Sequence, residues 1–145
     1  MAFDNLDDLY RDVILDHCRH PRHQDKLEDA DLVADGVNPF CGDEIHLQIN
    51  LDESGRVVSI GFQGQGCSIN QASGSMLSEA VEGKTLDEIE TISTSFHDMM
   101  QGEPPLPGDL GALSGVLQFP IRIKCALLSW ATLQDAIEEY RKTQG

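Results

Sequence analysis

The chain has 145 residues, 40% of them hydrophobic, which suits one folded domain with a modest core and excludes a disordered polymer. With 25 acidic and 10 basic residues its formal net charge is −15, which repels nucleic acid and anionic membranes and directs attention to a partner protein with a basic surface. No stretch approaches the ~18 apolar residues of a membrane span, and Met1-Ala2-Phe3-Asp4-Asn5 lacks the charged and apolar regions of a secretory signal. A cytoplasmic location is therefore expected. There the four cysteines read as ligands, nucleophiles or core residues rather than disulfides.

Leu6, Leu9, Tyr10, Val13, Ile14 and His17 recur at helical spacing, with Asp4 or Asn5 placed to cap the helix and Pro21 to end it. A polar stretch follows up to Asn38-Pro39, in which Leu32 to Val37 is a candidate edge strand. Ile45, Leu47, Ile49 and Leu51 then alternate with polar residues, as in a strand with one wet face. Asp52-Glu53-Ser54-Gly55 is a turn, and Val58, Ile60 and Phe62 resume the alternation, which predicts a hairpin. Gly64-Gln65-Gly66 breaks that strand. Ser68 is expected to cap a helix running to about Glu82, ended by Gly83. Thr85-Leu86-Asp87-Glu88 has the form of a capping box opening a helix to about Met100. Gly102 to Gly108 holds three prolines and reads as a loop, with a short helix expected around Asp109 to Leu113. Pro120 suits the first position of a long last helix whose stripe is Ile123, Ala126 or Leu127, Trp130, Leu133, Ile137 and Tyr140. Strands first and helices after predict an α+β fold, a small antiparallel sheet of about three strands packed against several helices, in one domain over 1–145.

Three cysteines fall at junctions of this plan. Cys41 precedes the first confident strand, Cys67 ends the Gly-rich turn before a helix, and Cys125 lies in the second turn of the last helix, outside its stripe. Their separations match no short zinc-finger spacing, so convergence must come from the fold. The local chemistry says more. A helix N-terminus or a neighbouring cation favours thiolate, the form that binds metal or attacks sulfur, and Arg122 and Lys124 flank Cys125. In Cys41-Gly42-Asp43 the glycine allows a tight turn that offers one sulfur and one oxygen to the same ion. Three thiolates and the Asp43 carboxylate suit tetrahedral zinc, with Arg122 and Lys124 offsetting the surplus negative charge. A carboxylate is a less committed zinc ligand than a thiolate, which suits a site built for ligand exchange. Cys18 is assigned no role, and His17, His20, His23, His46 and His97 are read as non-ligands. The glycines at 64 and 66 form no phosphate-binding pattern.

These residues resemble a family. Asn38-Pro39-Phe40-Cys41-Gly42-Asp43, Gly64-Gln65-Gly66-Cys67-Ser68-Ile69 with the small residues Ala72-Ser73-Gly74-Ser75, and Phe119-Pro120-Ile121-Arg122-Ile123-Lys124-Cys125 look like the three cysteine regions of the iron–sulfur cluster assembly scaffold family, IscU/NifU N-terminal-like. Leu9-Tyr10, Asp16-His17 and Pro21-Arg22 look like its first helix. Lys124 stands where the ordinary scaffold branch has a histidine, and the segment from about Glu103 to Val116 is extra; both resemble the SufU branch. The resemblance implies a SufE/NifU-like sandwich and a zinc site of Cys41, Asp43, Cys67 and Cys125. It further implies a SufS-like, pyridoxal-phosphate-dependent cysteine desulfurase as partner, and downstream Suf cluster-assembly proteins as recipients.

The mechanism expected from this is sulfur acceptance rather than stand-alone catalysis. Cys41, on a loop between Pro39 and Gly42, is the expected persulfide acceptor, and Arg122 a supporting residue. The alternative is a scaffold that assembles and hands on a [2Fe–2S] cluster on the same ligands. A closed structural zinc domain without sulfur chemistry is disfavoured by Asp43, since such sites use cysteine and histidine.

Overall fold

The computed structural model describes residues 12–38 and 42–144. Residues 12–19 form a helix (α1), followed by an irregular stretch up to residue 31. Three strands come next: β1 (Leu32–Asn38), β2 (Asp43–Leu51) and β3 (Val57–Gln65). They make one antiparallel sheet in the order β1-β2-β3, with Leu32 opposite Ile49 and Asn38 opposite Asp43, and Glu44 opposite Gln65. The helices α2 (Ser68–Val81) and α3 (Leu86–Met99), a 3₁₀ segment (Asp109–Gln118) and the long α4 (Pro120–Gln144) complete the chain. The candidate edge strand is real, and the α+β architecture is the one the element order predicts. The starting cap of the first helix, at Asp4 or Asn5, lies outside the described residues.

The alternation of β2 decides which face is covered. Ile45, Leu47 and Ile49 are fully buried beneath the helices, joined by Ile60 and Phe62 of β3. Val58 departs from the predicted pattern. It is exposed, while Val57 is buried. The pairing runs Asn50–Ser59 and then Leu51–Val57, so Val58 is the extra residue of a bulge that turns it outward and Val57 inward. On the opposite face Gln48 is buried too, because the stretch before β1 lies over it: the Leu27 amide donates to Gln48 Oε1 at 3.4 Å and Gln48 Nε2 donates to Gln63 Oε1 at 2.8 Å.

Small side chains let the helices approach closely. A Cβ on Gly74 of α2 would fall within the Phe62 ring, and one on Gly36 of β1 would overlap Thr132 Oγ1 of α4. Residues 72–78 of α2 are all buried, with Ser73 Oγ donating to the Ala126 carbonyl of α4 at 2.6 Å. This α2–α4 layer on the sheet holds the core, where Trp130 stacks on Phe96 with ring centroids 4.8 Å apart. The predicted capping box of α3 forms in full between Thr85 and Glu88. The expected short helix at Asp109 is a longer 3₁₀ segment. Its buried residues Leu110, Leu113 and Val116 recur every three positions, the period of that helix, and Gly111 and Gly115 disfavour α-helix. None of the described helices is long and apolar enough to cross a membrane.

Candidate metal centre

The β2–β3 hairpin and the starts of α2 and α4 meet at one edge of the sandwich. Asp43 is the first residue of β2 and is almost fully buried. Gly42 before it has φ +69°, the left-handed conformation that glycine tolerates best. Cys67 follows the last strand and is the N-cap of α2, with extended backbone and no side-chain capping bond. Ser68 is therefore the first helical residue and not the expected cap. The N-cap residue's own amide is held instead: Asp43 Oδ1 accepts the Cys67 backbone N–H at 2.8 Å. The carboxylate thus ties the two ends of the hairpin together, and its Oδ2 lies 3.8 Å from Cys67 Sγ.

That contact requires Gly66. Its φ is +117°, and a Cβ there would fall on Asp43 Oδ1 and lie 2.8 Å from Asp43 Cα. Gly64 and Gln65 do not break the strand as expected but continue β3 in register with Ile45 and Glu44, a Cβ on Gly64 would meet the Phe62 ring, and Gly66 alone is the space made for Asp43; the segment is not a phosphate loop. Asn70, fully buried in the first turn of α2, reinforces it by donating through Nδ2 to the carbonyls of Glu44 at 3.2 Å and Gln65 at 3.0 Å. Neither role was read from the sequence; the Gly-x-Gly spacing was visible, but what it accommodates lies 23 residues upstream.

Cys125 is the sixth residue of α4 and fully buried. The sequence placed it outside the apolar stripe, and it is indeed turned toward Asp43 and Cys67 at the edge of the core. One ligand atom from each of Asp43, Cys67 and Cys125 lies within 4.8 Å of the other two. Ligands on tetrahedral zinc stand about 3.8 Å apart for Zn–S bonds of about 2.3 Å, so this spacing fits zinc with small side-chain adjustments. Among the described residues no histidine joins this cluster. Cys41, the expected fourth ligand, lies outside the described residues. The exposed Arg122 guanidinium is held above its usual pKa, first by its hydrogen bond to Cys67, then by Coulombic attraction to Cys67 and, more weakly, to Cys125. Lys124 is exposed on the same turn.

The remaining candidates lie elsewhere. Cys18 is half-buried on α1. His46 pairs with Asp35 across β1 and β2 at 2.5 Å, and His23 faces Glu82 at 3.7 Å. His17 is different: it is fully buried between α1, α2 and the 3₁₀ segment, in a second cluster with Glu79 and Asp109.

The NifU-like N terminal domain family matches residues 9–145, nearly the whole chain and all three ligand-bearing segments. The chain belongs to that family. Among its relatives is the zinc-dependent sulfurtransferase SufU of Bacillus subtilis, 46% identical over 143 residues, covering 94% of this chain and 95% of the relative. The iron–sulfur cluster assembly scaffold protein IscU of Streptococcus pyogenes is 40% identical over 148 residues, covering 99% of this chain and 92% of the relative. A crystal structure of an iron–sulfur cluster assembly scaffold protein for the SUF system from Fervidobacterium islandicum is similar with a TM-score of 0.80 at 34% identity, covering 86% of this chain and 93% of that one. The NifU-like family fold is thus the α+β sandwich described above.

Proposed function

We infer that this chain is a zinc-dependent sulfur acceptor and transfer protein of iron–sulfur cluster biogenesis, working as one domain. The observation that carries the reading is the convergence of Asp43, Cys67 and Cys125 within 4.8 Å, three ligands of the types zinc takes, from segments far apart in sequence. The similarity to a protein named a zinc-dependent sulfurtransferase supports it.

The ion would be held by Asp43, Cys67 and Cys125, with Cys41 as the fourth ligand. Asn38 and Asp43 are cross-strand partners, and Cys41 is two residues from Asp43, so chain continuity keeps their Cα atoms within about 7 Å. When bound, zinc would keep the cysteine sulfurs as thiolates at neutral pH and leave them exchangeable. Cys41 is the acceptor: its thiolate attacks the outer sulfur of the desulfurase persulfide, the new S–S bond forms on Cys41, and the desulfurase cysteine leaves as thiolate. Cys67 and Cys125 are anchored at helix starts and stay behind with Asp43, while Arg122 offsets their negative charge. The donor is a SufS-like cysteine desulfurase, and Suf assembly proteins in the cytoplasm receive the sulfur.

The test is a cysteine desulfurase assay with zinc-loaded and zinc-free chain. Stimulation by the loaded form only, and none by the Cys41→Ala variant, is the expected result; full stimulation by Cys41→Ala overturns the acceptor assignment. The second reading, a [2Fe–2S] scaffold, has the relatives named as scaffolds in its favour. Lys124, in the place where the ordinary scaffold branch has a histidine, favours sulfur transfer. A cluster assembled in high yield while desulfurase activity stays unstimulated would decide for the scaffold.

A further inference from the structure

In a cluster separate from the thiols, three segments converge on the imidazole of His17, which the sulfur-transfer reading does not use. The ring is fully buried, and one of its nitrogens is fixed: Nδ1 lies 2.8 Å from Ser75 Oγ, itself buried and accepting the Arg22 backbone N–H at 2.9 Å. The other nitrogen, Nε2, lies between two carboxylates, Asp109 Oδ2 at 2.8 Å and Glu79 Oε1 at 3.6 Å. One ligand atom from each of His17, Glu79 and Asp109 lies within 4.8 Å of the others. Glu79 and Asp109 are half-exposed and line a cavity of about 290 Å³ with Met76, Ala80, Pro107 and Leu110.

Three features make this more than an ion pair. First, Nε2 carries at most one hydrogen, yet two carboxylates face it, so one of them is served poorly by the imidazole. Second, the charges are unbalanced: Asp16, Glu79 and Asp109 surround a single guanidinium, Arg22, which is already bound to Asp16 at 2.6 Å and only 3.6 Å from Glu79. With the imidazole neutral, as a metal ligand must be, two negative charges remain, the number a divalent ion neutralises. Third, a ring whose far nitrogen is bonded to a buried hydroxyl is fixed in orientation, as metal-ligating histidines are, and the cavity on the Glu79 and Asp109 side has room for waters to complete the coordination.

We propose that His17 Nε2, Glu79 and Asp109 form a second, weaker metal site for a divalent ion of the zinc and cobalt class, one imidazole and two carboxylates with water filling the open positions. The donor set is harder than the thiolate centre, so the two sites rank differently in affinity and differ in spectrum. Binding there clamps the 3₁₀ segment to α1 and α2, because Asp109 opens that segment, His17 belongs to α1 and Glu79 to α2.

The experiment is a Co²⁺ titration of the full chain followed by absorbance. The expected result is a first equivalent with thiolate-to-cobalt charge transfer and a second equivalent with ligand-field bands only. In the Glu79→Gln/Asp109→Asn double variant, at half-exposed positions that leave the buried ring in place, the second equivalent weakens at least roughly tenfold, the loss that even outer-shell changes produce, while the first is unchanged. A single equivalent in the wild type, or a second one that persists in the double variant, overturns the proposal. Because the first equivalent is read separately, loss of the thiolate centre and loss of this one are distinguishable. Should the double variant misfold, the His17 ring resonances of the wild type still decide: they shift on the second equivalent of Zn²⁺ or the proposal falls.

Discussion

Gly66 offers the sharpest perturbation of the thiol-bearing edge. Its φ of +117° lies where side chains other than glycine's are strained, at a cost of about 1–3 kcal/mol. An added methyl would also fall on Asp43 Oδ1 and stand 2.8 Å from Asp43 Cα, so relief requires the first residue of β2 to shift and not merely a side chain to rotate. Gly83 is the natural control. Its φ is +79°, and an added Cβ meets nothing within 4 Å, so Gly83→Ala should cost only the conformational strain of about 1–2 kcal/mol. Gly66→Ala should therefore destabilise by about 3–4 kcal/mol, more than Gly83→Ala, and be the only one of the two to weaken zinc binding, by roughly tenfold or more, because it displaces Asp43, the proposed ligand. Urea unfolding of both variants, with zinc affinity from competition against a chromophoric chelator, measures both effects. Equal destabilisation by the two substitutions, with zinc affinity retained in Gly66→Ala, would refute the view that the turn exists to seat Asp43.

Other outcomes follow from the packing and the turns. Thr85→Ala removes the hydroxyl that accepts the Glu88 N–H and should cost about 1 kcal/mol in thermal or chemical unfolding, with no change in metal content. Leu133→Ala, at a fully buried position of α4, should cost about 2–5 kcal/mol by the same measurement. In the β2–β3 turn the Asp52 carboxylate accepts the backbone N–H groups of Arg56 and Ser54, with the Arg56 bond the larger cause, and its pKa is held below the ordinary 3.8. A carboxyl whose folded value is depressed stabilises the fold above pH 3.8 and loses that contribution as pH falls through the folded value. Asp52→Asn should accordingly flatten the loss of stability in that acid range and leave the slope near neutral pH unchanged.

The elements were legible where one local signal decided them. The alternation from Ile45 to Ile49, the Thr85–Glu88 capping box and Pro120 at the start of α4 each depend on neighbours a few residues away. Val58 was misplaced because a bulge inserts a residue into a pattern whose period is two, and nothing in Val57-Val58-Ser59 announces it. Ser68 reads as the cap because serine is a good one; the helix starts one residue earlier, with Cys67 as N-cap and its amide held by Asp43 from 24 residues away. Asp43, Cys67 and Cys125 were named from local chemistry, but their meeting depends on three junctions sharing one edge, which sequence spacing does not encode. The cluster around His17 was missed for the same reason. Its partners Ser75 and Asp109 are 58 and 92 residues away, and each alone reads as an ordinary surface or helix residue.

The two oxygens of Asp43 have separate tasks. Oδ1 is engaged by the amide of Cys67, the residue from which α2 springs, while Oδ2 is the oxygen that lies toward the Cys67 sulfur. This acid is therefore a fixed post and not a swinging gate: the proposed metal pocket, emptied of an ion, would keep one corner in place. Refilling it then asks only the thiols to find their positions.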